Sequence, residues 1–321
     1  MKKHYLASAN TCMGFYNCFK DINPTKKSFT YILKGGPGTG KSTIIKNFAN
    51  NYVNKNYDVE YFYCSSDINS LDGTRIIKNN LSIVDGTAPH VTEATLPGIK
   101  EEIINVGKFI KPEIKKYKNI IEKYLNNKSF YYTLAYKYLK AAGEIVNIEE
   151  YENEIKKTSS LIKLYKFLSL KFQVKTGSER KLFCSYITSN GIENLYNKNK
   201  YKNIVILNST YFDNCKALKE LSERLKEYNY NFISFLSVLN PNLIESIYIE
   251  EIRTLVISFN PSKDLTNNFN NKNVLSFLIK KAGSYIEKAK YYHKKVEKYY
   301  IKNMDFNSLA NHLISINKNF K

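Results

Sequence analysis

With 321 residues, 43% apolar and 24% charged, the chain has globular composition and length for one large domain or two ordinary ones, which excludes a wholly disordered protein. No apolar run approaches the roughly 18–20 residues of a membrane span, and no apolar segment of the secretory kind follows Met1-Lys2-Lys3. The net charge of +20 is carried almost wholly by lysines spread along the chain beside abundant Asn, Ile and Tyr, the mark of A/T-rich codons and a solvated lysine surface rather than of a dedicated nucleic-acid face.

In chain order, Phe29-Thr30-Tyr31-Ile32-Leu33 is β-branched and aromatic and predicts a strand. A glycine-rich stretch, Gly35 to Gly40, follows. Lys41 to Asn54 then places Ile44, Ile45, Phe48, Ala49 and Tyr52 at helical spacing. Val59–Cys64 and Leu81–Val84 predict two more strands. Strands separated by a helix predict a parallel, covered sheet. From Pro97 to about Phe172 apolar residues recur every three or four positions among lysines and glutamates. This predicts a helical arm, broken near Pro112, Asn126-Asn127 and Gly143. Lys175-Thr176-Gly177-Ser178 is the expected linker, so the domains are expected at 1–174 and 175–321.

The second part repeats the pattern of the first. Shifted by 177 residues, Tyr5-Leu6-Ala7-Ser8 meets Leu182-Phe183-Cys184-Ser185, and Gly14 meets Gly191. Shifted by 174, Ile32-Leu33 meets Ile206-Leu207, Val59 meets Ile233, and Leu81 and Ile83 meet Leu255 and Ile257. A three-residue change in a loop costs little. The expectation is a tandem duplication.

Gly35-Gly36-Pro37-Gly38-Thr39-Gly40-Lys41-Ser42 fits GxxxxGK[ST] between a predicted strand and a predicted helix, the context of a P-loop. Glycines let the backbone turn its N–H groups inward as a nest for phosphate oxygens, and the helix adds its positive end. Lys41 is expected on the β- and γ-phosphates, Ser42 on Mg²⁺, and Thr43 near the α-phosphate. Asp85 closes its strand and is the expected second Mg²⁺ anchor. Asp67, after the neighbouring strand, is the rival. Both are candidate catalytic residues beside Lys41. Asp72-Gly73 reads as a turn, and Arg75 as a loop residue. No Glu follows Asp85. His90 is either a positioning group or structural. No NKxD sequence is present, so ATP is favoured over GTP. In the gapless register Gly35, Gly36, Gly38, Gly40, Lys41, Ser42 and Asp85 become Ser209, Thr210, Phe212, Asn214, Cys215, Lys216 and Phe259. The second copy is therefore expected to be degenerate. Five scattered cysteines with no CxxC pair argue against disulfides or zinc and fit a cytoplasmic protein.

Together His4–Thr11, Ile32–Thr43, Ser65-Ser66-Asp67, Ser70–Gly73 and Val84–His90 resemble a family of uncharacterised tandem P-loop ATP-binding proteins of Gram-positive, often spore-forming, bacteria. The resemblance implies a P-loop NTPase fold with helical extensions, a parallel-sheet core, and ATP with Mg²⁺ as ligands. Family members often carry a glycine-rich loop in both halves; this chain departs from that in its second. The expected activity is slow ATP hydrolysis or phosphoryl transfer at residues 35–43. A non-catalytic nucleotide sensor with a protein partner and a nucleic-acid-associated ATPase are the alternatives.

Overall fold

The computed structural model describes residues 2–25, 27–154, 168, 170–174 and 176–320. The chain divides into two compact units. One comprises Met1–Ser8, Asn17–Ala135 and Ser284–Lys321; the other comprises Ala9–Tyr16 and Tyr136–Gly283. These units do not follow a single cut near residue 174, because the chain from Ser284 onward returns to the first unit and Ala9–Tyr16 belongs to the second. Of the expected linker, Lys175 lies outside the described residues, as does the expected helical arm over 155–167.

The strands are β1 (Lys2–Tyr5), β2 (Ser8–Thr11), β3 (Gly14–Asn17), β4 (Phe29–Lys34), β5 (Val59–Cys64), β6 (Asp67–Ile76), β7 (Leu81–Asp85) and β8 (Glu101–Asn105). They are joined by α1 (Lys41–Val53) and followed by α2 (Lys118–Glu154). Then come β9 (Glu179–Leu182), β10 (Ser185–Thr188), β11 (Gly191–Asn194), β12 (Asn203–Ile206), α3 (Tyr211–Glu227), β13 (Phe232–Leu236), β14 (Ile244–Ile249) and β15 (Thr254–Ile257). The helices α4 (Lys272–Lys302) and α5 (Phe306–Ile316) end the chain.

The first unit is built on a six-stranded sheet in the order β1-β5-β6-β7-β4-β8. Its β4 is parallel to both β7 and β8, and β1 is parallel to β5. β6 runs antiparallel to its two neighbours, so the sheet is mixed rather than wholly parallel. The apolar stripe of α1 forms one core with the sheet: Ile44, Ile45, Phe48, Ala49 and Tyr52 pack with Tyr31, Leu33, Val59 and Ile83. Leu309, Leu313 and Phe320, from the C-terminal segment, join that core. Full burial of a Phe or Ile side chain stabilises by about 1.5–3 kcal/mol.

Three local expectations are corrected. Residues 67–76 are a strand, so Asp72-Gly73 is not a turn and Arg75 is not in a loop. Arg75 donates to Glu60 Oε2 at 3.3 Å across β5–β6, with both side chains buried. Residues 101–105 form a strand within the stretch read as helical. Helix α2 runs without a break through Asn126-Asn127 and Gly143.

The second unit holds a five-stranded sheet in the order β9-β13-β14-β15-β12. Its pairs are parallel, antiparallel, antiparallel and parallel in that order. The run β1-β5-β6-β7-β4 has the same order and the same sense at each step. Among the described residues no helix is long and apolar enough to cross a membrane. All five cysteines are free, and burial raises the thiols of Cys12, Cys64, Cys184 and Cys215, which disfavours the reactive thiolate.

Glu245 of β14 is fully buried and accepts from Ser185 Oγ at 2.5 Å and Tyr196 OH at 3.0 Å. Burial raises its pKa from the usual 4.5 to about 7. The native state therefore holds a proton that the unfolded chain releases, and this contribution to stability, complete below about pH 4.5, is lost as pH rises through 7. Glu245→Gln is expected to remove the loss, gaining on the parent by on the order of 2–3 kcal/mol between pH 5 and pH 8. Urea midpoints at the two pH values check this; a parent–variant difference independent of pH contradicts it.

Candidate functional site

The glycine-rich turn lies between the carboxyl end of β4 and the start of α1, where open α/β sheets place their ligands. Gly38 and Gly40 adopt left-handed backbone, with φ of +71° and +88°. Gly40 is the N-cap of α1, and no side chain caps that helix end, so the cap itself supplies no side-chain acceptor to the first-turn N–H groups. The loop is closely covered by the C-terminal segment. A Cβ added at Gly38 would stand 2.6 Å from the Glu297 carbonyl oxygen of α4, so this position excludes any side chain by sterics as well as by φ.

Lys41, the first residue of α1, is nine-tenths buried. Its Nζ donates to the carbonyl oxygens of Gly35 (2.9 Å) and Gly36 (2.8 Å) and lies 3.6 Å from Asp85 Oδ2. Thr39 Oγ1 donates to Gly36 O at 2.8 Å, tightening the same turn. The Ser42 hydroxyl accepts from the Leu71 N–H of β6 at 2.9 Å, which ties the helix start to the sheet. Thr43 is exposed on the helix. Asp85 ends β7, opposite Leu33 at the end of β4. Its Oδ1 accepts from both the Thr87 N–H (2.9 Å) and the Thr87 hydroxyl.

The fold brings Lys41 to within 3.6 Å of Asp85 by placing β4 and β7 side by side, and Ser42 follows Lys41 in the first turn of α1. Asp67 Oδ1 receives Lys290 Nζ from α4 at 2.9 Å, and its charge also acts on Asp72. The segment that supplies Lys290 also supplies His293 and Glu297, 3.6 Å apart. Burial, reinforced by the charges of Lys128 and Lys41, lowers the His293 pKa to about 4, so this contact is a neutral imidazole beside a carboxylate rather than an ion pair. Burial also raises Glu297, helped by the charge of Asp67.

Asp72 is the residue that the sequence pattern hides. The β6–β7 register pairs Gly73 with Val84, so the next residues along both strands are Asp72 and Asp85. On its other side β6 pairs Gly73 with Phe62 and Leu71 with Tyr63, which leaves Asp72 as the extra residue of a β-bulge. Bulges re-aim a side chain and are common beside active sites. Asp72 is buried, and burial followed by the charge of Asp85 raises its pKa to about 8. His90 Nε2 lies 4.0 Å from Asp72 Oδ1, and the His90 ring stacks on Phe19 at 4.8 Å. Burial lowers the His90 pKa, so this contact too joins neutral partners at pH 7. Among the described residues no group of three or more His, Cys, Asp or Glu gathers to hold a metal; the carboxylates here come as a pair.

The corresponding turn of the second unit is filled by side chains. Asn214 donates to the carbonyl oxygens of Leu207 (3.3 Å), Ser209 (3.1 Å) and Ser258 (2.9 Å). Thr210 caps α3 by accepting from the Asp213 N–H. Tyr211, Phe212, Cys215 and Phe259 are buried, and Tyr211 and Phe212 pack on Phe269 at 5.2 and 5.7 Å between ring centres.

No family model matches the chain, and no solved structure matches it. Among curated proteins the chain is similar to the nucleoside-triphosphatase THEP1 of Saccharolobus solfataricus, with 25% identity over 157 residues, covering 41% of this chain and 90% of that protein. This is a distant and partial likeness. It is compatible with a mixed α/β nucleotide-binding protein of the P-loop kind.

Proposed function

We propose that residues 35–43 are a P-loop that binds ATP with Mg²⁺ and that the protein slowly hydrolyses ATP or transfers its γ-phosphoryl group. The observation that carries this reading is Lys41: a buried ammonium held by two carbonyls of its own loop, 3.6 Å from the Asp85 carboxylate. The donor set fits the ligand. Two left-handed glycines and a helix start without a side-chain cap offer backbone N–H groups to phosphate oxygens. Lys41 meets the β- and γ-phosphates, and its bonds to Gly35 and Gly36 hold the ammonium in place. Ser42 and Asp85 supply a hydroxyl and a carboxylate to the metal. When bound, Mg²⁺ neutralises charge on the phosphates. The likeness to a nucleoside-triphosphatase supports the same class of ligand.

The same reading takes the chain as a tandem duplication with a decayed second site. Matching strand orders and senses support it. Asn214 takes up carbonyl oxygens of its own turn, the buried rings of Tyr211 and Phe212 stand where the first loop has Pro37 and Gly38, and Asp213 adds negative charge to the first turn of α3. The expected stoichiometry is one ATP per chain by calorimetry; two per chain contradicts the decayed site, and none contradicts the P-loop.

A second reading, a nucleotide sensor without turnover, is favoured by Gly86, which follows Asp85 where many ATPases carry Glu. Steady-state phosphate release, with and without DNA or RNA, separates the readings. Release unaffected by nucleic acid supports the leading one, no release from an ATP-binding chain supports the sensor, and stimulation supports a nucleic-acid-associated ATPase.

A further inference from the structure

We propose that Asp72 is a second carboxylate of the divalent-cation site beside Asp85, its Oδ2 accepting a hydrogen bond from a water in the metal's shell. The inference rests on the nucleotide-site reading above and extends it to a residue with no place in the familiar loop-and-strand pattern. Four observations carry it. The β6–β7 ladder begins at Gly73 and Val84, and Asp72 and Asp85 are the next residues on the two strands, close enough for the charge of Asp85 to act on Asp72. The bulge at Asp72 interrupts the β5–β6 ladder at this one residue and turns its side chain independently of its neighbours. The residue before it, Leu71, holds the Ser42 hydroxyl through its N–H, so both groups share one piece of backbone. Finally, Asp72 is 5% exposed, and its Oδ2 has no hydrogen-bond partner among the described residues.

The last point separates Asp72 from its neighbours. Asp85 accepts at Oδ1 from Thr87, and its Oδ2 lies 3.6 Å from the Lys41 ammonium, so its charge is balanced before any metal is bound. Asp72 receives the Cys64 thiol, and its Oδ1 faces His90 at 4.0 Å. Oδ2 is left as the acceptor oxygen not yet used. A buried polar atom without a partner is destabilising, and burial together with the charge of Asp85 holds back the ionisation of Asp72. A divalent cation with its water shell answers both. Mg²⁺ suits the site because it keeps several waters and binds through one or two carboxylates together with phosphates.

The test is ATP affinity by calorimetry, in Mg²⁺ and in EDTA, for the full chain and three variants. Asp72→Asn, close in shape, is expected to keep the metal-free ATP affinity, which also reports that it folds. It should lose about ten-fold or more of the affinity that Mg²⁺ adds, the usual cost of removing a partner of a metal's shell. Asp85→Asn should lose at least as much. Lys41→Ala should lose affinity in both conditions. A full Mg²⁺ gain in Asp72→Asn overturns the proposal and leaves the nucleotide site standing. A parent chain that binds no ATP in either condition overturns both. Should Asp72→Asn not fold, the parent chain carries the test: Fe²⁺ bound with ATP, given ascorbate and peroxide, should cut the backbone near Asp72 as well as near Asp85. Cuts at β7 without cuts at β6 overturn the proposal.

Discussion

Lys41→Ala is expected to weaken ATP binding by about 100-fold or more, equivalent to roughly 3 kcal/mol. The ammonium is the cation held inside the glycine-rich turn, fixed there by the Gly35 and Gly36 carbonyls and by Asp85 at 3.6 Å. Removing it leaves the Asp85 carboxylate without its counter-charge beside the loop, so an attraction for the phosphates is replaced by a repulsion. Stability should change less, by about 1–2 kcal/mol, because the lost contacts are hydrogen bonds to loop carbonyls rather than core packing. Calorimetric titration with ATP and a denaturant curve on the same preparation check both numbers. Equal ATP affinity in variant and parent sinks the P-loop assignment.

Gly283→Ala is expected to destabilise the second unit by about 3 kcal/mol, the upper end of ordinary overpacking. Helix propensity alone predicts the opposite sign, since Ala is favoured over Gly in a helix by about 1 kcal/mol. The contact decides. A Cβ on Gly283 would stand 1.9 Å from the Thr188 carbonyl oxygen and 2.6 Å from the Ser189 nitrogen, at the turn between β10 and β11. Both are backbone atoms of a paired hairpin, which cannot move aside without breaking its ladder. Gly143 makes the milder version of this contact, 2.9 Å from the Cys12 Cβ at the turn between β2 and β3, so Gly143→Ala should cost less. Urea midpoints of the two variants give the comparison. A Gly283→Ala chain as stable as the parent contradicts the close approach.

Several features were legible because their causes are local. Strands β4, β5 and β7 and helix α1 follow from β-branched runs and a 3.6-residue apolar stripe. The loop follows from a motif whose spacing is dictated by backbone geometry. The position of Asp85 at a strand end followed from the apolar run before it. None of this required knowing what lies opposite.

What the sequence concealed depends on partners distant in the chain. Strand β6 contains Asp72-Gly73, a pair that favours turns in isolation. Between β5 and β7, however, Gly73 to Ile76 are paired on both sides, and that pairing outweighs local preference. The bulge that absorbs Asp72 exists only because two ladders of different register meet on one strand. Arg75 looked like a loop cation because its partner, Glu60, lies 15 residues earlier and becomes its neighbour only when β5 and β6 pair. Asn126-Asn127 and Gly143 looked like helix breaks, yet α2 continues through them; their cost of at most about 1 kcal/mol each is small beside the burial of Ala135, Leu139, Ala142 and Val146. The cover over the glycine-rich turn, Glu297 on Gly38, joins residues more than 250 positions apart. Local chemistry therefore determined the loop, its lysine and its first carboxylate. Tertiary pairing alone decided that a second carboxylate stands beside them, because strand register and burial are properties of the assembled sheet.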